Sequence, residues 1–553
     1  VSVAKNIKMS AARAIVECMK RAAVEKVFCV PGESYLPVLD ALYDERTIDV
    51  ISARHEGGAA FMAEGYAKAA NKPGIVLATR AVGGANLSIG VHTAFQDSTP
   101  MIVLLGQVHR KFRGREGFQE VELAEFFGSI AKWAVEIRDP ERIPEIVERA
   151  FRIAQTGRPG PVVISLPEDI LPMEEEMQFG PLLQIPSPAP SKKEILLVEE
   201  MLSNAKKPVI LAGGGVKLAQ AESELQKAAE KLELPVLTAF RRHDVFPNDH
   251  PLYVGHLGLG SNKEILKTVA EADVILAVGT RLSEVTTQDY SIFTHGKKLI
   301  HIDIDPDTLG KVYAPDIGIV ADAKEALEAM KEFEVQTPWS EWATERRQAY
   351  TIVSSLAIRE GDVINKQIIG VLENTLPDDA VLTNDAGNFA GWLHAFYPFK
   401  QSNTYVGPTS GAMGYGMPAA LGVKLACPNR TVVSLSGDGG FMMTAQELET
   451  AVRYQIPVIC LVFNNNMYGT IRMHQELHYP ERVMATDLGQ VSFKDLAHSV
   501  KADGYQVNSA EEFEHALKEA LNSKNVTVIE IITGKEEIAV SSTITGIRKA
   551  KKT

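Results

Sequence analysis

Short apolar runs alternate with helical stretches from one end of this 553-residue chain to the other. Lys26–Val30, Gly74–Ala78 and Met101–Leu105 are such runs, each followed by Gly, Pro or a polar residue. Continuous rather than alternating hydrophobicity marks strands buried on both faces, as in parallel sheets. Between them lie stretches such as Glu56–Ala70, with small and apolar residues on one face. Strand–helix alternation predicts α/β layers, here doubly wound parallel sheets.

At about 150 residues per domain the length suggests three or four domains. Periodicity lapses twice. Prolines cluster in Phe179–Lys193, and residues 332–360 contain QTPWSEWATERRQAY before a fresh start at Asp362. The expected domains are therefore 1–180, 190–335 and 360–553. The outer two resemble each other. Each has a helix, an apolar strand, a Gly-Gly pair, a helix and then a strand opened by proline. From Gly84 to Pro100 is 16 residues, and from Gly440 to Pro457 is 17. Two like sheets could face each other across a shared ligand.

With 57 Lys plus Arg against 70 Asp plus Glu, the net charge is −13, which argues against a nucleic-acid partner. Cys18, Cys29, Cys427 and Cys460 lie far apart and form no zinc or disulfide pattern. No run of about 18 apolar residues occurs, so no membrane span is expected. A cytoplasmic protein is the expectation. In the middle piece Gly213-Gly214-Gly215 follows a strand, but its spacing matches GxGxxG poorly. A tight strand-to-helix turn is the preferred reading over a dinucleotide site. Asp303 and Asp305 flank a strand end and could cap a helix as easily as bind a ribose.

The stretch from Val432 to Gly469 carries the chemistry. An apolar strand ends at Gly437-Asp438-Gly439-Gly440, and a helix is expected next, with Ala445, Leu448, Val452 and Ile456 along one side. A second strand, Val458–Phe463, ends in Asn464-Asn465-Asn466. Both polar clusters fall at carboxyl ends of parallel strands, where α/β sheets bind ligands. Asp438 offers an anionic oxygen, Asn465 an amide oxygen and Met467 a main-chain carbonyl. Such an all-oxygen set suits Mg²⁺ or Ca²⁺, with diphosphate and water completing the shell. Gly437, Gly439 and Gly440 let backbone N–H groups approach phosphate. The 27 residues from Asp438 to Asn465 join the two halves into one strong signal.

GDG followed by NN at this interval is the thiamine diphosphate (ThDP) motif. The whole chain resembles that superfamily, and within it the acetolactate synthase-like enzymes of the pyruvate decarboxylase and oxidase type. The likeness includes Val27–Leu42, Arg54–Thr79, Gly106–Glu122, Gly361–Asn388 and Ser410–Ala426. It implies pyrimidine-binding, middle and diphosphate-binding domains. It also implies a homodimer or homotetramer with active sites at the subunit interface. Glu56 matches the glutamate that hydrogen-bonds N1′ of the aminopyrimidine, favouring the tautomer whose nitrogen can deprotonate thiazolium C2. Met413 matches the apolar residue that bends the cofactor, and Gly411 the carbonyl that accepts from its 4′-amino group. Pro31, Gly387, Asn388, Tyr468 and Gly469 match further cofactor-binding positions. Asn388-Phe389 departs from the Gln-His usual in acetolactate synthases. Gln119 matches a glutamine near cofactor and substrate, with Phe118 as an apolar wall.

Other departures bear on substrate. Glu33 stands where small or apolar residues are usual, and Arg80 opens a turn that usually reads Gly-Pro-Gly-Ala-Thr-Asn. With His92, Met473 and His474 they are candidates to line the pocket. The segment 279–284 lacks the Arg-Phe-Asp-Asp pattern of flavin-binding synthases, which argues against FAD. The resemblance implies a 2-oxo acid decarboxylating carboligase, with acetolactate and CO₂ from two pyruvates as the specific expectation. The alternatives are a ThDP-dependent lyase or decarboxylase acting on another acyl compound, and a non-catalytic ThDP-binding regulatory protein.

Overall fold

The computed structural model describes residues 7–181, 184–293, 296–336, 339–359 and 361–552. Residues 182–183 and 337–338 of the two proline-bearing stretches, and Glu360, lie outside these. Three α/β domains follow one another, each built on a six-stranded sheet whose pairings are all parallel.

The first sheet runs, edge to edge, Asp49–Ser52, Lys26–Cys29, Gly74–Thr79, Met101–Gln107, Pro161–Pro167, Trp133–Glu136. Counted in chain order this is 2-1-3-4-6-5. The third sheet has the same order: Tyr405–Val406, Val381–Asn384, Val432–Gly437, Ile459–Asn464, Thr527–Ile532, Asp503–Val507. The likeness of the outer pieces is thus a likeness of topology. The middle sheet, from Tyr253–His256 to Ile317–Val320, has the order 3-2-1-4-5-6.

Strand pleat explains the continuous apolar runs. Val76, Ala78, Val103 and Leu105 face one core, whereas Ile75, Leu77, Ile102 and Leu104 face the other. The first of these cores is shared by the outer domains. Helix Glu56–Ala70 of the first packs on helix Gly416–Ala426 of the third at backbone contact. A Cβ on Gly65 would lie 2.4 Å from the Ala419 carbonyl oxygen, and one on Gly422 would lie 2.0 Å from that of Met62. Buried Glu64 is satisfied at the same seam, by Tyr415 Oη at 2.5 Å, Thr99 Oγ1 at 2.7 Å and Lys68 Nζ at 2.7 Å.

In the middle domain the three glycines serve chain packing. A Cβ on Gly213 would stand 2.3 Å from the Gly279 carbonyl oxygen, and one on Gly215 would stand 2.6 Å from Gly279 Cα. The turn is filled by the neighbouring turn of its own sheet, which supports the tight-turn reading. The domain is tied to the third by Asp244, which accepts from the Thr404 and Tyr405 N–H groups at 3.0 and 3.1 Å. Its His243 packs edge to face on His256 and tilted against His394 of the third domain, with ring centroids 4.4 Å apart in both pairs. All four cysteines are free thiols. Among the described residues no helix is long and apolar enough to cross a membrane.

Candidate active site

In the order 2-1-3 the chain leaves strands 1 and 3 in opposite directions, which opens a crevice at their carboxyl ends. In the third domain this crevice lies between Val381–Asn384 and Val432–Gly437. Loops 385–389, 407–414, 437–441 and 464–469 surround it.

Asp438 begins a short helix, Asp438–Phe441, and its Oδ1 accepts from Gly439 N–H at 2.9 Å. The residue is buried, and burial raises its carboxyl pKa; backbone N–H groups of Gly439, Asn466 and Met467 pull it back down. Among the described residues no lysine or arginine pairs with it, although a buried carboxylate without a cation is costly. Asn465 Oδ1 accepts from Met467 N–H at 3.2 Å, so the asparagine turn folds back toward the same end. One carboxylate, one amide oxygen and a loop carbonyl fit a divalent cation whose remaining ligands come from diphosphate and water. The glycines have distinct reasons. A Cβ on Gly439 would meet the Tyr468 ring at 2.5 Å, and one on Gly440 would meet Asp385 Oδ2 at 2.7 Å.

The helix expected after this turn is broken. Asp438–Phe441 and Glu447–Arg453 are separate helices, so Ala445 and Ile456 lie outside them. Met443, Thr444 and Glu447 N–H groups bond three residues back, to Gly440, Phe441 and Thr444. Thr444 Oγ1 instead donates to the Gly414 carbonyl at 2.8 Å. The break lets residues 442–446 reach the 411–414 turn. There Gly411 (φ 68°) and Gly414 (φ 81°) are left-handed and flank half-buried Met413.

Asp385 was not foreseen. It is fully buried, its Oδ1 accepts from Ala386 N–H at 2.8 Å and its Oδ2 from Gly414 N–H at 3.0 Å. Burial pushes its carboxyl up to about 6. It fastens the Met413 turn to the crevice. Gly387 and Asn388 follow it, but the Asn388 side chain is engaged elsewhere. Its amide donates to the Ile538 carbonyl at 2.9 Å and its oxygen accepts from Thr470 at 2.9 Å. Met473 and His474 do lie on a helix, Gly469–His478. Met473 packs with Met467, Ile538, Ile544 and Ile547, whereas His474 is exposed.

The first domain has the matching crevice, between Lys26–Cys29 and Gly74–Thr79. Pro31 and Glu33 leave one strand and Arg80 the other. Glu56 opens helix Glu56–Ala70, whose N-terminus is capped by His55 Nδ1 accepting from Gly57 N–H at 3.0 Å. Its Oε2 accepts from Asn86 Nδ2 at 2.9 Å. Oε1 faces Gly83, where an added Cβ would lie 3.2 Å away. Buried Glu447 of the third domain accepts from Arg54 and His55 N–H groups at 3.1 and 3.0 Å, which fixes the entry to Glu56. Phe118 and Gln119 sit on the far side of the Arg80 turn; Gln119 is left-handed (φ 63°) and Phe118 exposed. His92 is exposed further along helix Arg80–Asp97.

The sites therefore form two sets, one at the crevice of each outer domain. Sequence reasoning missed Asn86, Asp385 and Glu447. Asn86 ends the turn that Arg80 opens, and its place one helical turn beyond Gly83 was the available signal.

Comparison with known proteins agrees with this geometry. Three family descriptions match: "Thiamine pyrophosphate enzyme, N-terminal TPP binding domain" over residues 9–126, the central domain over 197–330, and the C-terminal TPP binding domain over 385–531. A probable acetolactate synthase large subunit of Methanocaldococcus jannaschii is 36% identical over 95% of this chain and 92% of its own. The acetolactate synthase isozyme 3 large subunit of Escherichia coli is 33% identical over 96% of both chains. The acetolactate synthase large subunit of Lactococcus lactis is 34% identical over 86% of this chain and 85% of its own. With both crevices in place and these relatives spanning nearly its whole length, the chain belongs to the thiamine pyrophosphate enzymes, in the family of acetolactate synthase large subunits.

Proposed function

We propose that this ThDP enzyme is a 2-oxo acid decarboxylating carboligase that makes acetolactate and CO₂ from two pyruvates. One observation carries the reading: two topologically equivalent crevices, one presenting Glu56 and the other buried Asp438 without a cation. Bound ThDP supplies a carbanion-forming carbon and an electron sink. Asp438, Asn465 and the Met467 carbonyl hold Mg²⁺, and the glycine N–H groups of the 437–440 turn hold diphosphate. Glu56, oriented by Asn86, keeps a carboxyl group at the pyrimidine. Met413 would pack against the bound cofactor, and the Gly411 carbonyl would accept from its amino group. Pro31, Tyr468, Gly469 and the Gly387–Asn388 backbone complete the binding surface.

The two sets meet across two copies of the chain, as a homodimer or a pair of dimers. Val82 and Ile89 are exposed beside one crevice, and Met442 and Met443 beside the other. These apolar side chains are the surface that a second copy would cover. No flavin is required, because making acetolactate and CO₂ from two pyruvates is redox-neutral. Free, buried Cys18, Cys29 and Cys460 support a reducing, cytoplasmic setting.

The test is purified protein with ThDP, Mg²⁺ and pyruvate, assayed for CO₂ and acetolactate. Both products are expected. CO₂ without acetolactate would make it a decarboxylase, and neither product would direct the search to another acyl donor.

A further inference from the structure

We infer that Arg80 is a positioning residue that locks Gln119 for carbon–carbon bond formation; this rests on the carboligase reading above. Arg80 starts helix Arg80–Asp97 in a left-handed conformation (φ 44°), and its side chain is only 8% exposed. Most residues avoid that conformation, so something must hold it. Three loops do. Nη2 pairs with Glu168 at 2.8 Å, and Nη1 lies 3.3 Å from both the Glu33 carboxylate and the Phe118 carbonyl. The guanidinium also lies 5.9 Å from the Phe118 ring centroid. The next residue adds a main-chain bond, Ala81 N–H to the Gln119 carbonyl at 3.2 Å.

These contacts have a direction. The first two turns of the same helix carry Gly83 and Asn86, which meet Glu56. Arg80 therefore fixes the spacing between Glu56 on one side of the turn and Gln119 on the other. With Glu168, Glu33 and Phe118 all held, both Nη groups of the guanidinium are spent on the protein rather than aimed at a substrate carboxylate. Planar, forked donors suit such a three-way clamp, and lysine would not reproduce it.

Chemistry says what the lock is for. In carboligation a C–C bond forms at the acceptor's carbonyl carbon, its C=O π pair moves to oxygen, and that oxygen takes a proton. A neutral amide at a fixed position can donate to this oxygen as charge develops. Loss of CO₂ from the first pyruvate needs no second carbonyl. Loosening Gln119 should therefore harm ligation more than decarboxylation, releasing acetaldehyde instead of acetolactate.

The experiment measures acetolactate and acetaldehyde from pyruvate for holoenzyme carrying Arg80→Ala, Arg80→Lys, Gln119→Ala and Arg80→Ala/Gln119→Ala. Arg80→Ala should lower the acetolactate-to-acetaldehyde ratio roughly tenfold or more, since a small misplacement suffices. Arg80→Lys should fall between, and the double variant should match Gln119→Ala. An unchanged ratio, or additive losses in the double variant, overturns the inference. A substrate-free measurement keeps it distinct from the pyruvate reading: thermolysin cleavage within residues 110–122. Arg80→Ala should be cut roughly tenfold faster there, as local opening is favoured. If wild type makes no product from pyruvate, the substrate is wrong and the cleavage rates decide; equal rates then overturn the lock.

Discussion

The two outer domains share one strand order and use its crevice in opposite ways. The third domain offers main chain: Gly437 and Gly440 let the backbone approach a ligand, Gly439 N–H holds Asp438, and bulky or acidic side chains pack where their Cβ atoms would be. The first offers side chains, with Glu56, Arg80 and Gln119 around a continuous 18-residue helix. The matching helix of the third is broken after Phe441 so that Thr444 can hold the Met413 turn. Topology decides where a ligand sits, and local sequence decides whether backbone or side chain meets it. A diphosphate and its metal need many weak, close donors. A proton-handling site needs one well-placed carboxyl group.

If the division is right, the first crevice governs rate. Glu56→Gln should lower CO₂ release from pyruvate by roughly 10²–10⁴-fold, the range for a lost acid–base group. ThDP affinity, measured by titration with Mg²⁺ present, should change little. An equal loss in affinity would show that Glu56 is a binding residue and that the contrast is false.

The middle domain supplies none of the candidate site residues, although its buried Arg241 donates to the Pro408 and Asp385 carbonyls behind the third domain's crevice, and its expected effect is on stability. Burial holds His256 down at about 4 against an ordinary value of 6.5; His243 and His394 are also held well below 6.5, by burial first, then by the neighbouring His256 and His394 for His243 and by Arg241 and His256 for His394. Below pH 6.5 the unfolded chain binds a proton that folded His256 refuses. Stability is thus full above pH 6.5 and drains as the pH falls toward 4, by roughly 3 kcal/mol for this residue. Denaturant melts at pH 7 and pH 4.5 should show the loss, and His256→Phe should reduce it. A variant that loses as much as wild type would place the acid sensitivity elsewhere.

The third crevice should govern affinity. ThDP and Mg²⁺ at about 100 times their dissociation constant should stabilise the protein by about 2.7 kcal/mol. Asp438→Ala should abolish that thermal shift. Retention of the shift would remove Asp438 from the metal site.

Legibility in the sequence followed distance along the chain. The parallel sheets, the Asp438–Asn465 pairing and the helix opened by Glu56 were readable because each is written in a local run. The helix break at 442–446 was not, because its cause is the Gly414 carbonyl 30 residues away. Nor was Glu447, whose partner His55 is 392 residues distant. Asp385 carries no mark in the sequence, because its burial and its donor Gly414, 29 residues on, come only with the fold; they make it the peg of the Met413 turn. Arg80 was visible as a departure from its relatives' turn, but its clamp depends on Glu168, 88 residues on.

The smallest expected effect concerns how the outer domains are held in register. Gly422 lies inside helix Gly416–Ala426, where alanine would ordinarily gain up to about 1 kcal/mol from helix propensity. Here its Cβ would sit 2.0 Å from the Met62 carbonyl oxygen and 2.7 Å from Tyr66 N, both main-chain atoms of the facing helix. Backbone cannot swing aside as a side-chain tip can, so the helices must separate. Overpacking of this kind costs about 1–3 kcal/mol, which exceeds the propensity gain. Gly422→Ala should therefore lower the denaturation midpoint, and Gly65→Ala, meeting Ala419 from the other side, should do the same. Since helix Glu56–Ala70 begins at Glu56, the separation should also lower kcat while leaving Mg²⁺-dependent ThDP binding intact. A stabilised Gly422→Ala would mean that the two crevices are not coupled through this seam.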